Sequence, residues 1–414
     1  MPFVRKALRA LVWGVAWLVI VAGLALTIIP QALDRIYYEG PLSGHFDGER
    51  FFNPGGDDTF RMPAGRSRGG FLLRWLTGSE DRPAWPERVA VTPGYGDTAL
   101  VACPAQERTP AEPWARCNAG ELDRQAMSVT WVGHATALVQ TAGFAMLTDP
   151  IWSDVAGRWG IGPRRVAAPG VRIEDLPRID LIVISHNHYD HMDLDTLRRL
   201  WERDRPLIVT GLGNDTILAK AGIPSRGLDW GGVAEHPKGV RVRVERNHHW
   251  GSRWGTDRNR ALWSAFTVDT AAGRVYFAGD TGIGDGRWPG EAVADGVPVR
   301  LAILPIGAFR FAPEMMGTGS HIGPEDAIRV WDRLGRPPTL PIHWGTFRLS
   351  NEAYATPPRM LAALQACLGN QREIFAAKTI GATWRVPGVG ARDAVVDEAR
   401  LSECARTPAV TALP

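Results

Sequence analysis

The sequence predicts an α/β fold preceded by an apolar N-terminal helix, and three observations predict it. Short apolar runs typical of strands recur from Val129 to Trp344. Between some of them lie amphipathic runs typical of helices, each opened by acidic residues suited to a first helical turn. The stretch from Leu11 to Ile29 is almost wholly apolar. With 414 residues, 45% hydrophobic and 22% charged, the chain has the composition of a folded protein and not of a disordered one.

The apolar N-terminal stretch predicts a membrane anchor. A bilayer core requires about 20 apolar residues in a helix, whereas the apolar part of a cleaved signal is usually about 7 to 15 residues. Arg5, Lys6 and Arg9 precede the stretch, while Arg35 beyond it is offset by acidic neighbours. The positive-inside rule therefore predicts a single-pass inner-membrane protein whose catalytic domain, in a bacterium, lies on the periplasmic side. A buried core helix is the alternative, and the length and the flanking charges both disfavour it.

The charge balance and the cysteines exclude several classes of protein. A net charge of +3 provides no basic field for a polyanion, so nucleic acid is not expected as a partner. No two of the four cysteines have the spacing of a zinc ribbon or a redox pair. In an oxidising compartment Cys103 and Cys117 could form a disulfide, and two unpaired thiols are the alternative.

The strands are predicted from apolar runs that end in polar residues. A β-hairpin opens at Val129, in VTWVGHATALVQ followed by FAMLTDP. Six further runs are predicted strands: residues 179–185, 205–211, 240–247, 274–280, 301–307 and 339–344. The segments LDTLRRLWER and PEDAIRVWDRLG are predicted helices.

The strongest chemical signal is the run SHNHYDH directly after the strand LIVI. It contains His186, His188, Asp190 and His191. Alternate residues of an extended chain share a face, so the two first histidines point together, and the following turn brings the other two side chains to the same cavity. Neutral imidazoles and a carboxylate are ligands that zinc prefers, and two nearby ions can share them.

Four ligands do not fill the coordination shells of two metal ions, and the sequence offers further candidate ligands at other strand ends. Asp280 ends RVYFAGD, His343 ends TLPIH, and the adjacent His248 and His249 end VRVRVERN. Carboxyl ends of successive strands are where α/β sheets build their sites. Taken singly, Asp280 before Thr281 also fits an ordinary turn, and His343 also fits packing beside a tryptophan.

These residues resemble the metallo-β-lactamase superfamily, whose H-x-H-x-D-H signature is met in full. Further phrases resemble one branch, the zinc phospholipases D that hydrolyse N-acylphosphatidylethanolamine: VTWVGHAT, LTDPIWSD, FAGDTG, PIGA and IHWGTF. The resemblance runs from about Phe51 to about Lys378. It implies an αββα sandwich and two Zn²⁺ ions, other divalent metals also being compatible.

The resemblance also implies a role for each residue. One zinc would be held by His186, His188 and His249, the last chosen over His248 because it precedes Trp250 as in the family. The other zinc would be held by Asp190, His191 and His343, with Asp280 bridging. Asp149 resembles a supporting aspartate, although a turn before Pro150 explains it equally well, and His134 is expected near the site or as a buried hydrogen-bonded imidazole. His321 matches a family histidine near the substrate.

The predicted activity is hydrolysis of a phosphodiester in N-acylphosphatidylethanolamine-like lipids, with a metal-bound hydroxide attacking phosphorus. Asp190, Asp280 and His321 are the candidate catalytic residues, the histidine orienting the phosphate or assisting proton transfer to the leaving alcohol. The anchor would hold the site near lipid headgroups. Phe309, Phe311, Met315 and Met316 either form an apolar wall for acyl chains or belong to the core.

Three alternatives remain. The first is a lactonase or other ester hydrolase of the same fold, acting on a sugar phosphate or acyl lactone, because the fold alone does not choose the bond. The second is a diiron oxidoreductase, disfavoured because that pattern has Glu at the position of His188. The third is a non-catalytic metal-binding membrane protein.

The expected organisation has four parts: an anchor over 1–33, an extension packed on the core over 34–125, the catalytic domain over 126–389 and a loose C-terminal tail over 390–414. A homodimer is compatible with the sequence.

Overall fold

The computed structural model describes residues 2–33, 35–56, 83–97, 123–311, 318–369, 373–390 and 395–414. Its strands are β1 Met127–Gly133, β2 Thr136–Thr141, β3 Phe144–Thr148, β4 Leu181–Ile184, β5 Leu207–Gly211, β6 Arg226–Leu228, β7 Val233–His236, β8 Val240–Glu245, β9 Ala265–Thr270, β10 Gly273–Phe277, β11 Val299–Pro305, β12 Thr339–Ile342 and β13 Thr383–Arg385. Its α-helices are α1 Pro2–Leu33, α2 Leu194–Asp204, α3 Asn214–Lys220, α4 Trp288–Ala292, α5 Pro324–Arg333, α6 Thr356–Leu368, α7 Glu398–Ala405 and α8 Pro408–Thr411.

The strands form two sheets. The first has the order β13-β1-β2-β3-β4-β5-β6, and the second has the order β12-β11-β10-β9-β8-β7. Strands β3 to β6 run parallel, as do β10 to β12. The carboxyl ends of these parallel strands can therefore deliver side chains to one edge of each sheet.

The two sheets pack face to face with helices on both outer faces, which confirms the αββα sandwich. Strand β4 shows the arrangement: Leu181 and Val183 point into the core between the sheets, whereas Ile182 and Ile184 point to the core beneath α2 and α3. Helices α4 to α7 cover the second sheet. Because β4 is buried on both faces, its sequence is a continuous apolar run without alternation.

The predicted strands and helices are present. A turn at His134 splits the first run of the predicted hairpin into β1 and β2, and the second run contains β3. The six further runs contain β4, β5, β8, β10, β11 and β12, and the two predicted helices are α2 and α5. Sequence patterns did not identify the strands β6, β7, β9 and β13 or the helices α3, α4, α6, α7 and α8. The first four residues of β9 are all buried, so its sequence lacks the alternation that marks a half-exposed strand.

Helix α1 contains one window, Leu8–Ala25, long and apolar enough to cross a membrane, although a signal sequence has the same properties. Large side chains along it, such as Trp13 and Leu18, are exposed. A core helix would bury them, so that alternative is excluded.

The C-terminal segment differs from the expected loose tail. Leu401, Cys404 and Val410 of α7 and α8 are buried in the core beside the second sheet. Cys404 forms a disulfide with Cys367 of α6. The two helices fold because their apolar residues complete this core. Their segment is short, so its sequence does not reveal this packing.

The extension is described only in part. Phe46 and Phe51 are buried against Trp263, so residues 35–56 contribute to the folded body. Cys103 and Cys117 lie outside the described residues, as do Met315 and Met316. The four-part organisation along the chain stays a prediction.

Candidate metal centre

The candidate site lies at one edge of the sandwich, where strand ends from both sheets meet. From the first sheet, Asp149 follows β3 and His186 follows β4. From the second sheet, His249 follows β8, Asp280 follows β10 and His343 follows β12. All five are buried. The two sheets thus bring together side chains that are far apart in the sequence.

Three histidines form one half of the cluster. Ligand atoms of His186, His188 and His249 lie within 4.8 Å of one another. His186 Nε2 and His188 Nδ1 are 2.7 Å apart. Two imidazole nitrogens so close, with a third nearby, form a donor set suited to a divalent metal.

The other half contains carboxylates and two more histidines. His191 Nε2 lies 3.4 Å from Asp190 Oδ2 and 3.2 Å from His343 Nε2. Asp280 Oδ2 lies 3.0 Å from His191 Nε2, 2.9 Å from His343 Nε2 and 4.0 Å from His186 Nε2. The Asp280 carboxylate therefore stands between the two halves, the position expected of a shared ligand.

Asp149 orients two of the histidines. His191 Nδ1 donates to Asp149 Oδ2 over 2.7 Å, so its Nε2 points towards Asp280. His186 Nδ1 lies 2.9 Å from Ser185 Oγ, which donates to Asp149. Carboxylates that hold the far nitrogen of an imidazole set both its tautomer and its direction. The sequence had offered Asp149 either as a supporting aspartate or as a turn residue, and it gave no sign of Ser185.

The structure distinguishes the adjacent histidines after β8. His249 Nδ1 donates to Ser320 O over 2.8 Å, and its ring lies 4.6 Å from that of His186. Asn53 Nδ2 donates to the carbonyl of His249 over 2.9 Å. The ring of His248 is packed on Gly284, where an added Cβ would lie 2.3 Å from Nδ1. Asn53 was missed because 196 residues separate it from His249.

Burial and neighbouring charges set the protonation of the cluster. Desolvation lowers the pKa of His188 to about 3 and that of His249 well below its usual value, so both imidazoles stay neutral. Burial opposes ionisation of Asp280, but His191 and His343 outweigh it and hold the pKa of the carboxyl well below its ordinary value. Neutral imidazoles and ionised carboxylates are the forms that bind metals.

Unpartnered polar atoms show that the residues suit metal binding. Among the residues that the structure describes, His188 Nε2, His249 Nε2, Asp280 Oδ1 and His321 Nδ1 are buried and make no hydrogen bond. Ligand atoms of His249, Asp280 and His321 lie within 4.8 Å of one another. Buried polar groups without partners are costly, and bound cations would compensate several of them together.

Two further histidines border the cluster. His134 Nε2 lies 2.9 Å from Asp190 Oδ2 and its backbone carbonyl accepts from His343 N over 3.0 Å. His321 Nδ1 lies 3.7 Å from Asp280 Oδ2. The ring of Phe311 lies 5.3 Å from that of His321, whereas Phe309 packs against the core beside the second sheet.

Residues 145–344 match the β-lactamase superfamily domain. This range contains the ends of β3, β4, β8, β10 and β12, which supply the candidate site. N-acyl-phosphatidylethanolamine-hydrolyzing phospholipase D 1 of Caenorhabditis elegans is 35% identical over 243 residues, 56% of this chain and 67% of that protein. The chain belongs to the β-lactamase superfamily. Its αββα sandwich is the metallo-β-lactamase fold, and its His and Asp clusters suit metal binding.

Two other proteins are similar to this chain. The mitochondrial N-acyl-phosphatidylethanolamine-hydrolyzing phospholipase D of Saccharomyces cerevisiae is 31% identical over 247 residues, 57% of this chain and 51% of that protein. An uncharacterised protein of Mycobacterium tuberculosis is 36% identical over 277 residues, 64% of this chain and 72% of that protein. The chain is a metal-dependent hydrolase of this superfamily.

Proposed function

We propose that the chain is a dinuclear zinc phosphodiesterase of phospholipase D type that acts on N-acylphosphatidylethanolamine-like lipids. One observation carries the proposal: two groups of ligand atoms meet at the Asp280 carboxylate, whose Oδ2 lies within 4.0 Å of His186, His191 and His343. His188 and His249 complete the first group and Asp190 the second. Two relatives at 31% and 35% identity carry the name of such an activity.

The charge of the site favours an anionic substrate. Two divalent ions would exceed the two carboxylates, Asp190 and Asp280, and leave a positive site. Bound ions would supply Lewis-acid stabilisation of phosphoryl oxygens and a nucleophile from water near neutral pH. The two carboxylates would help to hold the ions while charge develops on the phosphoryl oxygens.

His321 is proposed to contact the substrate phosphate. Burial lowers its pKa well below the usual value, so its imidazole is neutral, and Nδ1 has no hydrogen-bond partner in the described structure. A neutral imidazole can donate one N–H to a phosphate oxygen, which favours orientation of the phosphate over proton donation by an imidazolium. His321→Ala should retain its metal and lose turnover, and undiminished turnover with full metal content would remove this role.

The activity is tested with the full chain purified in detergent, stripped of metal and reloaded with zinc. N-acylphosphatidylethanolamine, a simple phosphodiester and an acyl lactone are offered in parallel. We expect zinc-dependent release of phosphatidic acid and N-acylethanolamine, abolished in Asp280→Asn and retained in His248→Ala, whose ring lies away from the cluster. Hydrolysis of the lactone without cleavage of either phosphodiester would instead identify a lactonase.

We also propose that α1 is retained as a membrane anchor and that the catalytic domain lies in the periplasm. The basic residues before the apolar window support this orientation. The disulfide between Cys367 and Cys404 supports an oxidising compartment, because structural disulfides are rare in the cytosol.

A further inference from the structure

The junction between α1 and the folded body is held in place by a hydrogen bond and a cation–π contact. Tyr37 is buried, and its hydroxyl donates to Asp257 Oδ2 over 2.9 Å. The guanidinium of Arg35 lies 5.1 Å from the ring of Trp254. Helix α1 ends at Leu33, so an extended link of two residues places Arg35 within about 7 Å of the helix end.

A cavity of about 380 Å³ opens beside this junction, and its free charges are positive. Arg35, Arg158 and Lys220 line it, and none of the three has a carboxylate within ion-pair distance among the described residues. Both acidic lining residues are engaged elsewhere: Asp193 caps α2, and Asp195 pairs with an arginine. The cavity wall therefore carries cations without counter-charges.

A tight turn beside the cavity exposes two large apolar side chains. Arg158 and Ile161 exchange backbone hydrogen bonds of 3.2 and 2.9 Å around Trp159 and Gly160. Trp159 is 79% exposed and Ile161 75% exposed. Trp159 has φ +54° and Gly160 has φ +74°, as in a type I′ turn. Asn, Asp or Gly normally occupies the position of Trp159, and a bulky residue there is strained.

Packing within the chain does not account for this tryptophan. In the described structure its ring contacts are the guanidinium of Arg158 at 4.4 Å and the edge of Trp254 at 6.5 Å. An exposed tryptophan in a strained turn, next to unpaired cations, is better explained by a partner with an apolar interior and an anionic surface. Tryptophan is enriched where a membrane meets water, and basic side chains near a span bind anionic lipids.

We propose that Arg35, Arg158, Trp159, Ile161 and Lys220, here called the anchor-proximal patch, dock on the membrane that α1 enters. The three cations bind phosphates of anionic lipid headgroups, and the two apolar side chains enter the boundary between headgroups and acyl chains. The bilayer is the chosen occupant because the patch begins two residues after α1 and is continuous with it. This inference rests on the proposed retention of α1 as a membrane anchor and not on which bond the enzyme hydrolyses.

Docking would also hold the metal cluster next to the membrane. Tyr189, between His188 and Asp190 in the sequence, lines the same cavity, and the guanidinium of Arg253 lies 4.1 Å from its ring. Arg253 donates to the carbonyls of Asn187 and Met192. One wall of the cavity is therefore part of the loop that presents the candidate ligands.

The apolar half of the patch is tested by fluorescence of the full chain reconstituted in vesicles of phosphatidylcholine with about 30% phosphatidylglycerol. The contribution of Trp159 to the fluorescence is the difference in emission between the wild type and Trp159→Phe. We expect brominated acyl chains to quench this contribution by more than half. Trp384→Phe, on β13 at the far edge of the sheet, is the control and should reveal no such quenched component. A Trp159 contribution unchanged by bromination would overturn the proposal.

The charged half is tested by native mass spectrometry of the detergent-solubilised full chain. Arg158→Gln/Lys220→Gln should retain fewer phosphatidylglycerol molecules than the wild type, and Arg385→Gln/Arg400→Gln, which removes the same charge from exposed positions elsewhere, should not. Two results would contradict lipid docking. One is binding of inorganic phosphate that is as tight as binding of the lipid. The other is protection of Trp159 from water that rises with protein concentration in lipid-free micelles, because a second copy of the chain would then cover the patch.

Discussion

His248 and His249 show how strongly one position matters at the residue scale. Their side chains leave the end of β8 in different directions, one towards Gly284 and the other towards His186 and Ser320. Both are buried, so burial does not distinguish a ligand from a packing residue.

The adjacent histidines provide a matched pair of variants. His249→Ala should weaken zinc binding by more than about 100-fold. Even a residue that only hydrogen-bonds a metal ligand changes the metal affinity by about 10- to 100-fold when it is removed. His248→Ala should keep the zinc affinity of the wild type and at most lose stability. Competition with a chromophoric chelator measures both. Equal losses in the two variants would contradict the assignment of His249.

Asp149 acts through His191, because its Oδ2 accepts a hydrogen bond of 2.7 Å from His191 Nδ1. Asp149→Asn should lower zinc affinity by about 10- to 100-fold, because the imidazole loses the charged partner that sets its tautomer. The metal-free variant should remain folded by circular dichroism. Wild-type affinity in the variant would show that Asp149 is only a turn residue.

The protonation of His343 predicts how metal binding depends on pH. Without a bound cation, burial disfavours its charged form, but Asp280 and Asp190 raise its pKa from 6.5 to about 9. Proton binding there stabilises the metal-free fold fully below pH 6.5, and this contribution is lost as pH rises through about 9. Zinc requires the neutral imidazole, so its apparent affinity should increase from pH 6 to pH 9.

Calorimetry in buffers of different ionisation enthalpy tests this dependence. Zinc binding at pH 7 should release protons in the wild type, and fewer in His343→Ala. A zinc affinity that does not change over this range would contradict the raised pKa.

At the scale of elements, the disulfide joins α6 to α7 across 37 residues of sequence. Loop-closure entropy predicts that removing such a bond costs about 4 kcal/mol. Cys367→Ser/Cys404→Ser should therefore unfold at a lower urea concentration than the wild type. A double variant is preferable to a reductant, which would also act on the two other cysteines.

The matching control is Arg385→Gln/Arg400→Gln, whose surface ion pairs should contribute little to the free energy of unfolding. Equal urea midpoints for the cysteine variant and the wild type would indicate that the bond is not formed in the purified protein.

The strand ends show what the sequence could predict at this scale. The run from His186 to His191 lies within one loop after β4, so four candidate ligands were visible together. Asn53, Ser185 and Ser320 gave no comparable signal, because each acts only through hydrogen bonds to a candidate ligand or to the partner of one. Such bonds depend on the packing of distant segments and leave no periodic pattern.

At the scale of the whole molecule, α1 and the body differ in the exposure of their large apolar side chains. The large side chains of α1 are exposed, whereas those of the sandwich fill the cores between and outside the sheets. Such an exposed apolar helix is stable only in a membrane or as a segment that is removed.

Expression of the full chain in a bacterium separates these outcomes. If α1 is an anchor, the protein should remain in the membrane pellet after washing at alkaline pH, and protease added to spheroplasts should digest the body. A soluble periplasmic product that lacks the first residues would identify α1 as a cleaved signal. A body protected in intact spheroplasts would contradict the proposed orientation.

The sequence by itself determined the class of the fold, the loop with four candidate ligands and an N-terminal helix suited to a membrane. These follow from local patterns: apolar runs, ligand spacing within one loop and the length of an apolar stretch. Only the tertiary structure placed the ring of His249 beside that of His186, joined Cys367 to Cys404 and placed Trp159 next to Trp254, the tryptophan that Arg35 contacts after α1. Each of these depends on distances between segments remote in the chain, which are set by the packing of the two sheets and their helices.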